Sequence, residues 1–358
     1  MESKFGKNIR VTVFGGSHEP EIGVKIEGLP EEAMDIDEER LQSFLDLRAP
    51  GNGPFATKRK EADRFEITDR RSGEDGSWQL RAVIKNTDQR SRDYKKLADV
   101  PRPGHADLTA RYRYGDDLNM AGGGPFSGRM TAPLCIAGGI ALQYLEKKGI
   151  MIGAHILSVG DAQDRAFDPL APEIDMVKGM EPGKIASLSE EAAEKMAAVI
   201  LKAKEEGDSV GAVIEIAAAG VPKGIGGAMY DGIESILSPI YFGIPAVKAV
   251  AFGAGERAAG MMGSENNDAY CIAGGEVRTK TNNAGGILGG ITTGMPLTVR
   301  LSFKPTPSIA KVQESVNLKE MKEEQLRIEG RHDPCVAVRA VPVCIAATAI
   351  GLMDAMAE

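Results

Sequence analysis

GGGPFSGRMTAPLCIAGGIALQYLEKKG, residues 122–149, passes from a glycine loop into an apolar run with no polar face. A helix from Phe126 to Lys148 would therefore have to be covered on all sides, which puts it inside a layered protein rather than on its surface. A strand over 150–159 follows it. The glycines before the helix let the backbone bend tightly, and they deliver Ser127 and Arg129 to a helix start, where bare amides, a hydroxyl and a guanidinium can cradle an anion. Neither a dinucleotide fingerprint nor a phosphate loop with its lysine is present, and the same glycines would also serve close packing.

Outward from this stretch, alternating residues in IRVTVF (9–14) and VKIEG (24–28) predict a hairpin whose polar connection, GGSHEPEI, carries His18. DIDEERLQSFLDLR (35–48) has helical spacing and stops at RAPGN. Strands are expected at RFEITD and QLRAVIK, and a surface helix over 185–207, with Ser187 and Glu190 as a capping box and Gly207 at its end. Strands at 210–220, 246–253 and 296–304, a helix over 230–241 and a last helix from about Arg339 to Met356 complete the pattern. EIGVKIEGLPEE (21–32) echoes SVGAVIEIAAAGVPKG (209–224), and GSWQLRAVIK echoes GMPLTVRLSFK. The expected fold is a layered α+β sandwich of β-α-α-β type, one large domain over 1–358 with pseudo-related halves of roughly 1–205 and 206–358.

A formal net charge of −8 removes the broad attraction to nucleic acid or anionic membranes, so arginines for an anionic ligand would have to be gathered locally. Four cysteines lack any paired spacing and predict reduced thiols and a cytoplasmic protein. MESKFGKNIR holds no apolar signal core, and the apolar stretch Ala132–Leu145 is too short to span a bilayer.

Four histidines are available. His155 lies in an apolar strand and is read as a core residue, whereas His18 and His105 lie on glycine and proline loops, from which an imidazole can reach a cleft. A turn-stabilising hydrogen bond is the plainer role for either. GRHDPCVAVR (330–339) gathers Arg331, His332, Asp333 and Arg339. Asp333 there is either a structural ion pair or a base in an arginine-lined pocket. His332 and Cys335 find no third ligand at helical spacing, so no metal is expected. Arg48 stands at a helix C-terminus and Lys304 at a strand end before a Pro/Ser/Thr loop. Together these groups point to a polyanionic substrate.

Taken in order, GGSHEPEIGV, LRAPGN, KRKEAD, NTDQRSRDY, RPGHAD, GGGPFSGR, EGDSVG, PAVK, NNAGGILGG, FKPTPS and GRHDPC resemble the chorismate synthase family over almost the whole chain. The resemblance implies a carbon–oxygen lyase of aromatic amino-acid biosynthesis. Such an enzyme eliminates phosphate from 5-enolpyruvylshikimate-3-phosphate with reduced FMN, NADPH being a candidate reductant, and forms a homotetramer. It further implies His18, His105 and Asp333 as catalytic residues and Ser17, Arg48, Arg129 and Arg339 as substrate-binding residues. For the cofactor it implies Arg48, Ser127, Ala246, Gly289, Lys304, Pro305, Thr306, Pro307, Ser308 and Arg331. The chain departs from the family pattern where GESHG becomes GGSHE, near Pro54, in GSWQL and at Ile345. A flavin-binding paralogue without lyase activity and a phosphate-binding or metal-dependent protein without flavin are the alternatives.

Overall fold

The computed structural model describes residues 1–51, 53–55, 63–86, 99–328 and 332–357, with backbone only at 176–178. Alternation of apolar and polar residues turns the first strands into one antiparallel sheet. They are β1 (Glu2–Phe5), β2 (Arg10–Gly15), β3 (Glu21–Leu29), β4 (Phe65–Ser72) and β5 (Trp78–Lys85), with helix α1 (Glu38–Arg48) between β3 and β4. Their spatial order is β1-β2-β3-β5-β4. Val24 pairs with Ala82, and Ile22, Val24 and Ile26 of β3 join Leu80, Ala82 and Ile84 of β5 on one buried face.

The chain continues through α2 (Asp107–Tyr114), α3 (Thr131–Lys147), β6 (Met151–Val159), β7 (Ala162–Gln163), α4 (Glu190–Glu205), β8 (Ala212–Ala219), α5 (Ile233–Gly243), β9 (Val247–Phe252) and α6 (Gly263–Asn266). Two short hairpins follow, β10 (Tyr270–Ala273) with β11 (Glu276–Thr279) and β12 (Ile287–Leu288) with β13 (Ile291–Thr292). After β14 (Leu297–Phe303) come a third hairpin, β15 (Gln313–Asn317) with β16 (Lys322–Leu326), and helix α7 (Ala337–Met356). β7-β6-β8-β14-β9 form the second antiparallel sheet.

Helix α3 packs on β3 and β5, α7 packs on β6 and β8, and the two helices run against each other. Gly138 permits that approach, since a Cβ there would stand 2.2 Å from the side chain of Ala346. Helix α1 touches both, and α5 packs on α7 and β9, with the Tyr241 and Thr348 hydroxyls bonded at 2.9 Å. One continuous apolar cluster runs through both sheets and these helices, so the chain is a single mixed helix-and-sheet body. Helix α7 is long and apolar enough to cross a membrane, yet 94% of that stretch is buried among the other elements. Its far end is tied down by Asp354, whose carboxylate accepts the amides of Lys7, Asn8 and Ile9 at 3.1, 2.7 and 2.8 Å.

Two boundaries differ from the sequence reading. Helix α3 begins at Thr131 rather than Phe126, because Gly122, Gly123 and Gly124 all take positive φ and the chain reaches the helix through short 3-10 turns. Helix α4 is capped by Ser189, which accepts the amide of Ala192, while Ser187 spends its hydroxyl on the carbonyl of Ser189. Glu190 is therefore the first residue of the helix and not the partner in a capping box.

Candidate active site

Four helix ends meet around one cavity of about 380 Å³. The C-termini of α1 and α5 bring Arg48 and Ile244–Ala246, and the N-termini of α3 and α7 bring Arg129 and Asp333–Arg339. Loops 102–107 and 304–308 close the sides. Among the described residues, five cationic side chains line it (Arg48, Arg102, Arg129, Lys304 and Arg339) against one lining carboxylate, Asp333. A chain of net charge −8 thus presents a locally cationic pocket, and two helix N-termini add to its preference for anions.

The glycine loop explains how the histidine loops fit together. A Cβ on Gly122 would lie 2.3 Å from the His18 ring and 2.9 Å from Ser17 Oγ, and one on Gly123 would lie 3.2 Å from His105 Nε2. Only bare backbone lets all three segments converge there.

His105 is held by a carboxylate and an arginine from its own loop. Its Nδ1 lies 2.7 Å from Asp107 Oδ1, and Arg102 grips the same carboxylate through Nε and Nη2, both at 2.7 Å. Nδ1 also lies 3.0 Å from Arg102 Nη2, which can only donate, but the shorter contact is to Asp107, which when ionised can only accept; a proton on Nδ1 satisfies that contact and leaves Nε2 facing Gly123. Burial would raise the Asp107 carboxyl, but hydrogen bonds from Arg102 and His105 outweigh it and hold the group far below the usual range. Arg102 Nη1 also reaches Ser308 Oγ at 3.1 Å, and Lys304 Nζ donates to the carbonyl of Gly104, which ties the two side loops together.

A second network sits opposite. Asp63, its side chain fully buried, bridges the guanidinium groups of Arg48 and Arg129. Burial pushes the Asp63 carboxyl up and the two arginines pull it down further, so it stays ionised. Arg48 also donates to Thr131 Oγ1 at 3.1 Å, and Arg129 to Asn86 Oδ1 at 3.1 Å. Arg339 binds Asp333 at 2.6 Å and caps helix α1 through the carbonyl of Arg48 at 2.9 Å. Asp333 is thus ion-paired and also lines the arginine-rich cavity. His332 beside it is pushed down to about 4, first by burial and then by the nearby Arg102.

The cavity brings together His105, Arg48, Ser127, Arg129, Ala246, Lys304, Thr306, Pro307, Ser308, Asp333 and Arg339. Ser17 and His18 stand just behind Gly122, and Pro305 packs behind the rim against Gly211. Arg331 lies outside the described residues. Gly289 is apart, because it sits in the β12–β13 turn beside Gly290, whose carbonyl accepts the amide of Ile233 at the start of α5. The cavity is at the other end of that 11-residue helix, about 16 Å away. Asp63, Arg102, Asp107 and His332 were not singled out for the site from sequence. RPGHAD carried a signal for two of them, a carboxylate and an arginine bracketing the loop histidine, whereas Asp63 had none.

The chain matches the family described as Chorismate synthase over residues 9–357. It is 43% identical to the chorismate synthase of Lancefieldella parvula over 99% of this chain and 96% of that protein. To the chorismate synthase of Korarchaeum cryptofilum it is 42% identical, over 98% and 96%. A solved structure titled "Crystal Structure of Chorismate Synthase" superposes with a TM-score of 0.75 at 26% identity, covering 98% of this chain and 92% of that one.

Proposed function

The chain belongs to the chorismate synthase family of carbon–oxygen lyases, and from that premise we propose how its cavity performs the elimination. The substrate is 5-enolpyruvylshikimate-3-phosphate and the products are chorismate and phosphate, serving aromatic amino-acid biosynthesis. In this 1,4-elimination the C6–H bond breaks and its electrons form a C=C bond to the neighbouring ring carbon, the ring double bond already there shifts one position towards C3, and the C3–O bond breaks with its pair leaving on phosphate. No net oxidation occurs. The observation that carries the reading is the convergence of His105, Arg129 and Asp333 on one cationic cavity in an acidic chain.

Arg48, Arg129 and Arg339 bind the carboxylates and phosphate, for which a guanidinium fork is better matched than a lysine. Asp63 holds two of them in place from behind. Asp333, oriented by Arg339, is the carboxylate that takes the C6 proton. His105 holds or delivers a proton at Nε2, with Asp107 fixing the tautomer, and His18 and Ser17 support a second proton position behind Gly122.

The family implies reduced FMN, and the residues fit it. The buried hydroxyls Ser17 Oγ and Thr306 Oγ1 have no hydrogen-bond partner among the described residues. Ser127, Ala246 and Lys304–Ser308 would hold the flavin, with Arg331 and Gly289 as further positions implied by the family. When bound, reduced flavin supplies transient electron density that weakens the C–O bond. NADPH is proposed as the source of electrons, with Arg48 as its contact. Gly289 would join the site from a second copy of the chain, which accords with a homotetramer and with exposed apolar residues such as Tyr230, Tyr270 and Ile272. The β-α-α-β layering and the relation between halves 1–205 and 206–358 are supported by α3 packed on the first five-stranded sheet, α7 on the second, and the two helices against each other. A cytoplasmic location, with no nucleic-acid or membrane partner, rests on four free cysteines and the acidic charge.

Anaerobic incubation with dithionite-reduced FMN and 5-enolpyruvylshikimate-3-phosphate tests the proposal. Chorismate and stoichiometric phosphate should appear. Flavin binding without product would identify a paralogue lacking lyase activity, and neither would overturn the reading.

A further inference from the structure

His332 lines the cavity between Arg102, His105 and Asp333. It is largely buried, and its Nε2 is sealed from solvent without any hydrogen-bond partner. A buried imidazole nitrogen left unpaired is costly, and native structures keep such groups where something else satisfies them. The neighbouring ring and guanidinium groups are engaged: His105 by Asp107, Arg102 by Asp107 and Ser308, Arg339 by Asp333. The His332 ring has no such partner among the described residues.

We propose that His332 is a substrate-contacting residue, whose ring donates a hydrogen bond to an anionic oxygen of the bound substrate. This deepens the functional reading above and rests on it. The chemistry of the surroundings selects an anion. Burial first, then Arg102 and His105 against the opposing Asp333, disfavours a charged imidazole, so the ring stands as a neutral group with one N–H to give. A carboxylate or phosphate oxygen arriving beside Arg102 accepts that N–H once the ring turns to present it, and offsets the positive charge around it. The role differs from that of His105, which has a carboxylate behind it to set its tautomer; His332 has none and depends on the ligand for its partner.

Calorimetric binding of 5-enolpyruvylshikimate-3-phosphate in the presence of oxidised FMN, where turnover does not occur, tests the assignment without relying on activity. His332→Ala should weaken substrate binding about tenfold to a hundredfold, as expected for a lost hydrogen bond to a charged group, with the FMN dissociation constant moving less than about twofold. His332→Asn keeps an N–H donor and should recover most of the lost affinity. It also carries the test should the alanine variant fold poorly. Unchanged substrate affinity in both variants overturns the proposal. So does a loss confined to FMN, which would make the ring a cofactor contact. Wild-type enzyme that binds the substrate with this His332 dependence yet forms no chorismate with reduced flavin would sink the functional reading and leave the contact standing. Wild-type enzyme that does not bind the substrate sinks both.

Discussion

Two histidines in this molecule have nearly the same company and opposite situations. His105 shares Asp107 with Arg102, and His155 shares Glu215 with Arg300, with His155 Nε2 at 3.1 Å and Arg300 Nε at 2.9 Å from the carboxylate. His105 keeps part of its side chain open at the cavity, 14% exposed. His155 is 0% exposed, wedged in β6 with the ring of Phe167 edge-on at 4.5 Å and the amide of Phe167 on Glu215 at 2.6 Å. Both carboxyls are lowered for the same reason, burial outweighed by hydrogen bonds from the histidine and arginine side. A histidine–carboxylate–arginine cluster is therefore no mark of catalysis by itself. What separates the two is where the second nitrogen faces: His105 Nε2 faces bare glycine and a ligand-sized space, whereas His155 Nδ1 is enclosed in the interior 3.5 Å from Asp164 Oδ2.

Substitution should pull the two apart. His105→Ala should lower kcat by about a thousandfold while leaving the melting temperature nearly unchanged, as read by the anaerobic assay beside thermal denaturation. An equal loss of stability would mean the two clusters do the same job. Asp107→Asn should keep the loop folded but lose the tautomer control, costing about tenfold to a hundredfold in kcat with little change in KM. His155→Ala should behave in the reverse sense, removing about 3 kcal/mol of stability by leaving Glu215 and Arg300 poorly compensated in the interior. Its folded fraction should turn over at close to the normal rate, and urea titration alongside kcat settles which way it falls.

Acid titration sharpens the contrast more gently. His332 titrates near 4 in the folded chain against an ordinary 6.5, so the unfolded chain binds the extra proton between those values. Stability should therefore be complete above about pH 6.5 and decline as pH falls towards 4, by at most about 3 kcal/mol from this group. His332→Asn should flatten that limb. Asp63, Asp107 and Glu215 are lowered from 3.8, 3.8 and 4.5, so their contributions persist through that range and are lost only at more acid pH. A melting profile of the two proteins from pH 4 to 8 separates these contributions.

Much of the fold was legible because periodicity is local. The β2–β3 hairpin follows from alternation in IRVTVF and VKIEG, and α3 and α7 from apolar runs too long to be strands. Elements that bury little left no such pattern. Helix α2 buries only Ala110 and reads as a polar turn, and strand β1 has no buried residue. The β10–β11 hairpin stands mostly in solvent with Tyr270, Ile272 and Val277 exposed, so its apolar residues signal no core. In the site, side-chain type and turn context pointed to His105, Arg129 and Asp333. Pairing was another matter: nothing near Asp63 says that it will bridge Arg48 and Arg129, 15 residues before and 66 after it. Nor does sequence distinguish His332, with its unpaired nitrogen, from a satisfied turn histidine.

The central claim is that one cavity receives substrate and flavin together, and a crystal structure with oxidised FMN and 5-enolpyruvylshikimate-3-phosphate bound addresses it most directly. The account predicts the flavin against Lys304–Ser308, and the substrate's anionic groups within hydrogen-bond distance of Arg129, Arg339 and His332, with C6 facing Asp333. Ligands seated elsewhere, or a substrate whose charged groups point away from these arginines, would contradict it.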